Sequence, residues 1–159
     1  GKYTIERPLH LGAVIARPSA TEHSELLNVL SAYGLPLGEA FQLRDDMLGI
    51  FGDPKETGKP AGDDLREGKR TVLMAMTMEK ATESARAELS AHLGKPDLSP
   101  EKIESLRTLI VETGAIADVE KLIDRLGEES VAAAHSAAIN ESARPFLLAL
   151  AETAIRRSY

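Results

Sequence analysis

Residues 38–54 read Gly-Glu-Ala-Phe-Gln-Leu-Arg-Asp-Asp-Met-Leu-Gly-Ile-Phe-Gly-Asp-Pro, and residues 55–70 continue as Lys-Glu-Thr-Gly-Lys-Pro-Ala-Gly-Asp-Asp-Leu-Arg-Glu-Gly-Lys-Arg. Wound as a helix, Gln42, Asp45, Asp46 and Gly49 fall on one narrow stripe at i, i+3, i+4 and i+7. The rest of the surface is apolar (Leu37, Ala40, Phe41, Leu43, Met47, Leu48, Ile50, Phe51), with Arg44 as its one charge. A helix apolar nearly all round is a buried helix. Two adjacent carboxylates on it demand a counter-charge, because an unpaired buried carboxylate is strongly unfavourable. A cavity holding a divalent cation would supply that charge.

Outward from this stretch the pattern stays helical. Gly52-Asp53-Pro54 stops the central helix. Upstream, Leu26, Leu27, Val29, Leu30 and Tyr33 extend its apolar face. Ser19 or Thr21 could cap its start, and Gly34-Leu35-Pro36 is expected to interrupt or kink it, with helical pattern resuming through Phe51 to make a long, bent helix of about 30 residues. Residues 1–16 read as an earlier helix with Pro8 in its first turn. Ile5, Leu9 and Gly12 share one face of that helix, and Arg17-Pro18 ends it. Downstream, residues 55–68 hold Gly58, Gly62, Gly68, Pro60 and seven charged residues, and read as a loop. Helices follow over 71–80 and 82–93. Ser99-Pro100-Glu101 opens another, with a cap, a first-position proline and a first-turn acid. Gly114 separates it from the next helix. There Ile116, Val119, Leu122, Ile123 and Leu126 keep helical spacing, and an alanine-rich continuation runs over 131–139 to Asn140. The last helix spans 142–156, with Phe146, Leu147, Leu150 and Ala154 expected to face inward. No stretch carries strand alternation, a repeat or low complexity. The class is all-α.

A chain of 159 residues with 43% apolar content suits one domain. A net charge of −6 argues against a nucleic-acid partner. With no cysteine, disulfides, thiolate metal sites and thiol catalysis are excluded. No apolar run approaches the roughly 20 residues of a membrane span, and the start lacks a signal-peptide core. A soluble cytoplasmic protein without stable membrane insertion is the expectation. The absence of an initiator Met suggests a processed product or a fragment.

Mg²⁺ is a hard cation that usually takes one or two carboxylates plus water and substrate phosphates. Asp45 and Asp46 are its candidate ligands. Lys59, Lys69 and Arg70 can offer positive charge to phosphates. The combination suggests a diphosphate substrate whose departure is aided electrostatically. Residues 63 and 64 remain open, since two aspartates can equally start the next helix. His10, His23, His92 and His135 have no ligand spacing and read as structural. The basic end, Arg156-Arg157-Ser158-Tyr159, reads as helix-end charge.

The run from Phe41 through Asp45-Asp46 to Gly52-Asp53-Pro54, with Thr57-Gly58-Lys59 and Asp63-Asp64-Leu65-Arg66-Glu67-Gly68-Lys69-Arg70-Thr71, closely resembles trans-polyprenyl diphosphate synthases. It looks like their second aspartate-rich region, and most like that of bacterial geranylgeranyl-type enzymes. Residues 1–13 resemble the segment after the family's Lys-Thr motif, and the later helices match in kind. The resemblance implies a helical bundle of the isoprenoid synthase type, present here as its C-terminal half. Residues 1–159 would form one helical region of a polyprenyl synthase domain.

The resemblance also implies roles. Asp45 and Asp46 would hold Mg²⁺ bridged to the allylic diphosphate. Gln42 would lie along the allylic chain, with Phe41 a candidate for the chain pocket. Lys59 would contact the diphosphate, and Lys69 would be the lysine of a closing loop. Asp63 or Asp64 would orient lysines or metal-bound water. The implied reaction condenses an allylic diphosphate with isopentenyl diphosphate in a homodimeric enzyme. Two departures stand out. The family's second motif often has a third aspartate four residues after the first, and here that position is Gly49; Asp53, one turn further, and Asp63 or Asp64 are the candidates to replace it. The first aspartate-rich motif and the arginines for isopentenyl diphosphate are also not among these residues. A non-catalytic C-terminal fragment is therefore the alternative. It would bind Mg²⁺ and diphosphate weakly, or serve only helix packing. A terpene cyclase-like relative is a third reading, which the Thr-Gly-Lys and Glu-Gly-Lys-Arg-Thr pieces disfavour.

Overall fold

A computed structural model describes residues 2–16, 23–58, 60 and 62–156. A π-helix (Lys2–Glu6) leads into α1 (Arg7–Ala16), α2 (His23–Phe51), α3 (Pro54–Thr57), α4 (Asp63–Glu67), α5 (Val72–Lys80), α6 (Glu83–His92), α7 (Pro100–Glu112), α8 (Ala115–Ala134) and α9 (Arg144–Ile155). Among the described residues there is no strand, so the all-α class stands. Nor is any helix there long and apolar enough to cross a membrane.

The chain forms two compact units. One takes residues up to Gln42 together with those from Leu122 onward, and the other is Leu43–Lys121. In the first, Tyr33, Leu37, Ala134, Ala151 and Ala154 form a buried cluster, with Ile5, Leu9, Phe41 and Leu147 packed on it. The Tyr33 hydroxyl donates to the Leu147 carbonyl at 2.7 Å. In the second, Met47, Ile50, Leu65, Leu73, Ile103, Leu106 and Ile110 are fully or almost fully buried. Arg44 pairs there with Glu120 through two parallel contacts of 2.7 Å, and Lys80 pairs with Asp118.

Helix starts follow the sequence closely. Thr71, Thr82 and Ser99 each accept a hydrogen bond from a backbone N–H three residues on, which satisfies one of the orphan donors of a first turn. The Ser19 or Thr21 start lies outside the described residues.

Of four expectations, the first is met in part and three are corrected. First, α2 runs as the single long helix expected, 29 residues through Gly34 and Pro36 without interruption. Tyr33 and Leu37, fully buried on either side of Pro36, hold the backbone where one helical hydrogen bond is lost. Gly34 serves a close approach instead: a Cβ there would lie 3.0 Å from the Glu6 backbone. Second, the charged segment 55–68 is not simply a loop, since it contains α3 and α4. Third, the alanine-rich helix stops at Ala134, short of Ile139. Arg144 reaches back to accept that end, donating to the Ala134 carbonyl at 3.2 Å and to the Ile139 carbonyl at 3.4 Å. Fourth, Phe146 and Leu150 are exposed on α9 (77% and 45%), whereas Leu147 and Ala154 do turn inward.

Candidate functional site

The last turns of α2 carry Asp45, half-buried, and Asp46, only 5% exposed. The end of this helix is held firmly. The Arg107 Nε donates to the Ile50 carbonyl at 2.7 Å, and its guanidinium lies 5.9 Å from the Phe51 ring centroid. These contacts fix a carbonyl that the helix itself leaves unsatisfied and add a cation–π contact.

Facing Asp46 is Lys69, whose ammonium donates to Asp46 Oδ1 at 3.0 Å and to Asp64 Oδ2 at 3.2 Å. Asp64 is 4% exposed and sits in the first turn of α4. Local backbone geometry brings Lys69 there. Gly68 ends α4 with φ of 66°, a left-handed conformation open to glycine. A Cβ on Gly68 would lie 2.8 Å from Gly94 Cα, and Gly94 N–H donates to the Leu65 carbonyl at 3.0 Å. The Lys69 N–H then closes on the Asp64 carbonyl at 3.0 Å. Partial burial pulls the lysine's pKa down, but the hydrogen bonds and charges of Asp46 and Asp64 outweigh this and hold it above the usual lysine value.

Position 49 now has a reason for its glycine. A Cβ there would come closer than 3.0 Å to all three atoms of the Asp64 carboxyl group. The volume that a side chain on α2 would fill is filled by a carboxylate from α4.

The structure thus brings Asp46 and Lys69 together and adds Asp64 to them. Asp45 lies on the same helix, one residue earlier. Gln42 is exposed on α2 within the first unit. Phe41, half-buried, lines an apolar cavity of about 410 Å³ in that unit with Ile5, Leu9, Leu150 and Ala154. Lys59 lies outside the described residues. Asp53, considered as a stand-in for the third aspartate, is exposed and caps α3, accepting from the Lys55 N–H at 2.8 Å. Arg70 is exposed and Asp63 half-buried. His10 Nε2 lies 3.0 Å from both the Leu27 carbonyl and Ser31 Oγ, and His92 bonds the Glu88 carbonyl, as structural histidines do. Of the three aspartates left open as replacements for an acid at 49, Asp64 is the one seated over Gly49. Its signal was the pairing of a missing acid at 49 with surplus acids at 63 and 64.

Among the described residues no group of three or more His, Asp or Glu is placed to hold a metal ion. Mg²⁺ suits that poverty of ligands, because it usually keeps several waters and takes only one or two carboxylates before adding phosphate oxygens. An all-oxygen donor set from Asp45 and Asp46 fits such an ion.

The family model for polyprenyl synthetase matches residues 1–110. The chain belongs to the polyprenyl synthetase family. Among other family members, it is 39% identical over 112 residues to the geranylfarnesyl diphosphate synthase of Aeropyrum pernix, which covers 70% of this chain and 33% of that protein. To the geranylgeranyl diphosphate synthase of Mycobacterium tuberculosis it is 29% identical over 147 residues, 92% of this chain and 40% of that one. It also superposes on a geranylgeranyl pyrophosphate synthase from Corynebacterium glutamicum, solved with isoprenyl diphosphate and magnesium. The TM-score is 0.91 at 46% identity, over 98% of this chain and 43% of that one. The chain therefore spans less than half the length of these family members.

Proposed function

We propose that this chain carries the allylic-diphosphate side of a prenyltransferase site. In the reaction the allylic C–O bond breaks and diphosphate leaves with the electron pair. The isopentenyl double bond attacks the resulting carbocation, and a proton passes to the leaving diphosphate. Asp45 and Asp46 would hold Mg²⁺, which when bound neutralises the diphosphate as it departs. Lys59 and Lys69 would bind the diphosphate oxygens, Gln42 would lie beside the allylic chain, and Phe41 would offer it apolar surface. A homodimer belongs to the same reading. What carries it is the buried Asp46 on a well-anchored helix end, facing a lysine from the next charged segment.

The decisive experiment compares condensation of dimethylallyl and isopentenyl diphosphates by a full-length enzyme that carries this region and by its Asp45→Ala variant. The rate should fall at least tenfold, which corresponds to about 1.4 kcal/mol of barrier. An unchanged rate would remove Asp45 from the site.

A second reading is that the 159 residues alone bind Mg²⁺ and diphosphate without turnover. The limited share of each relative that the chain covers favours it. Turnover by these residues alone would end that reading.

A further inference from the structure

We propose that Lys69 is a resident counter-cation of the Asp46–Asp64 pair and gives up that place when a divalent cation binds, releasing its ammonium for the incoming anion. The inference rests on the reading that Asp45 and Asp46 hold the metal. Two carboxylates, 5% and 4% exposed, lie 3.0 and 3.2 Å from the Lys69 ammonium. Removing both from water without a cation is strongly unfavourable, and this ammonium supplies such a charge before any metal arrives. A divalent ion on Asp46 would bring two positive charges beside Lys69, and their repulsion opposes joint occupancy.

Lys69 is built to leave. Its side chain is 40% exposed on a flexible four-carbon stem, while its backbone N–H stays tied to the Asp64 carbonyl. The ammonium can therefore swing out while its Cα stays in place. Asp64, seated over Gly49, is a positioning residue in this exchange, because it holds the lysine against Asp46 until the metal competes. The same cation serves the carboxylates first and the diphosphate second, so metal and anion binding become coupled through one side chain.

The test uses Mn²⁺ in place of Mg²⁺, read by electron paramagnetic resonance on the full chain, with and without inorganic diphosphate. Lys69→Met should bind Mn²⁺ alone at least fivefold more tightly than wild type, and should lose most of the further gain that diphosphate gives wild type. Lys69→Arg, which keeps the charge, should bind Mn²⁺ alone no more tightly than wild type. In the wild-type protein, acylation of Lys69 followed by mass spectrometry should rise when Mg²⁺ is added and fall again when diphosphate follows. This footprint decides the matter even if Lys69→Met does not fold. Equal or weaker Mn²⁺ binding by a folded Lys69→Met, or a Lys69 footprint indifferent to Mg²⁺, would overturn the exchange while leaving the metal site intact. If Asp45→Ala left wild-type Mn²⁺ binding unchanged, the metal assignment itself would fall.

Discussion

A methyl group on residue 49 would enter the volume held by the Asp64 carboxyl. Replacing a helical glycine by alanine ordinarily gains about 1 kcal/mol. Here Gly49→Ala should instead lose roughly 1–3 kcal/mol, the usual cost of overpacking, as a lower urea midpoint. In an Asp64→Ala background the same change should become neutral or stabilising. Additivity of the two changes would refute the contact. The stripe of Asp45 and Asp46 was legible in the sequence because helical periodicity alone puts it on an otherwise apolar helix. Lys69 was expected to offer its charge to phosphate, whereas its partners in the structure are Asp46 and Asp64. Asp64 was not resolved from Asp63, because their difference depends on how α4 meets α2: adjacent residues end up 4% exposed and half-buried.

For the elements, starts were easier to read than ends. A cap is a local hydrogen bond between residues three apart, so Thr71, Thr82 and Ser99 announce themselves. At the stop of α8 the Ala134 carbonyl accepts from Arg144, ten residues on, a partner that local sequence does not announce. The helices α3 and α4, four and five residues long, are too short to show periodicity. The α4 terminus offers its own test. Gly68→Ala would combine a left-handed backbone with a clash against Gly94, so it should cost at least about 1–3 kcal/mol. Hydrogen exchange should quicken at the Lys69 and Gly94 amides, which close on α4 carbonyls. Unchanged exchange at both would show that this end of α4 does not depend on the glycine.

Across the whole molecule, the all-α class followed from patterning repeated along the chain. The division into two units had no such signal, because α2 and α8 each run through the boundary without a linker. Tyr33 links one buried group to global stability. Burial pushes its pKa from 10.0 up to about 12. Above pH 10 the unfolded chain sheds this proton while the folded chain keeps it, so the folded state binds more protons and stability falls as pH rises from about 10 to 12. Urea midpoints measured over that range should decline less steeply for Tyr33→Phe. At neutral pH that variant should be less stable by about 1 kcal/mol, since the Leu147 carbonyl loses its donor. Parallel slopes for variant and wild type would deny Tyr33 this role.

The shared space of residues 49 and 64 also bears on how such a site can change over generations. An acid added to α2 while α4 keeps its own requires the Asp64 carboxyl to shift. A lineage that moved the carboxylate from 64 to 49 would have to shrink residue 64 first. The reverse order passes through a crowded intermediate that selection for folding would remove. The two positions should therefore drift as a pair, with the order of substitutions set by sterics rather than by chemistry.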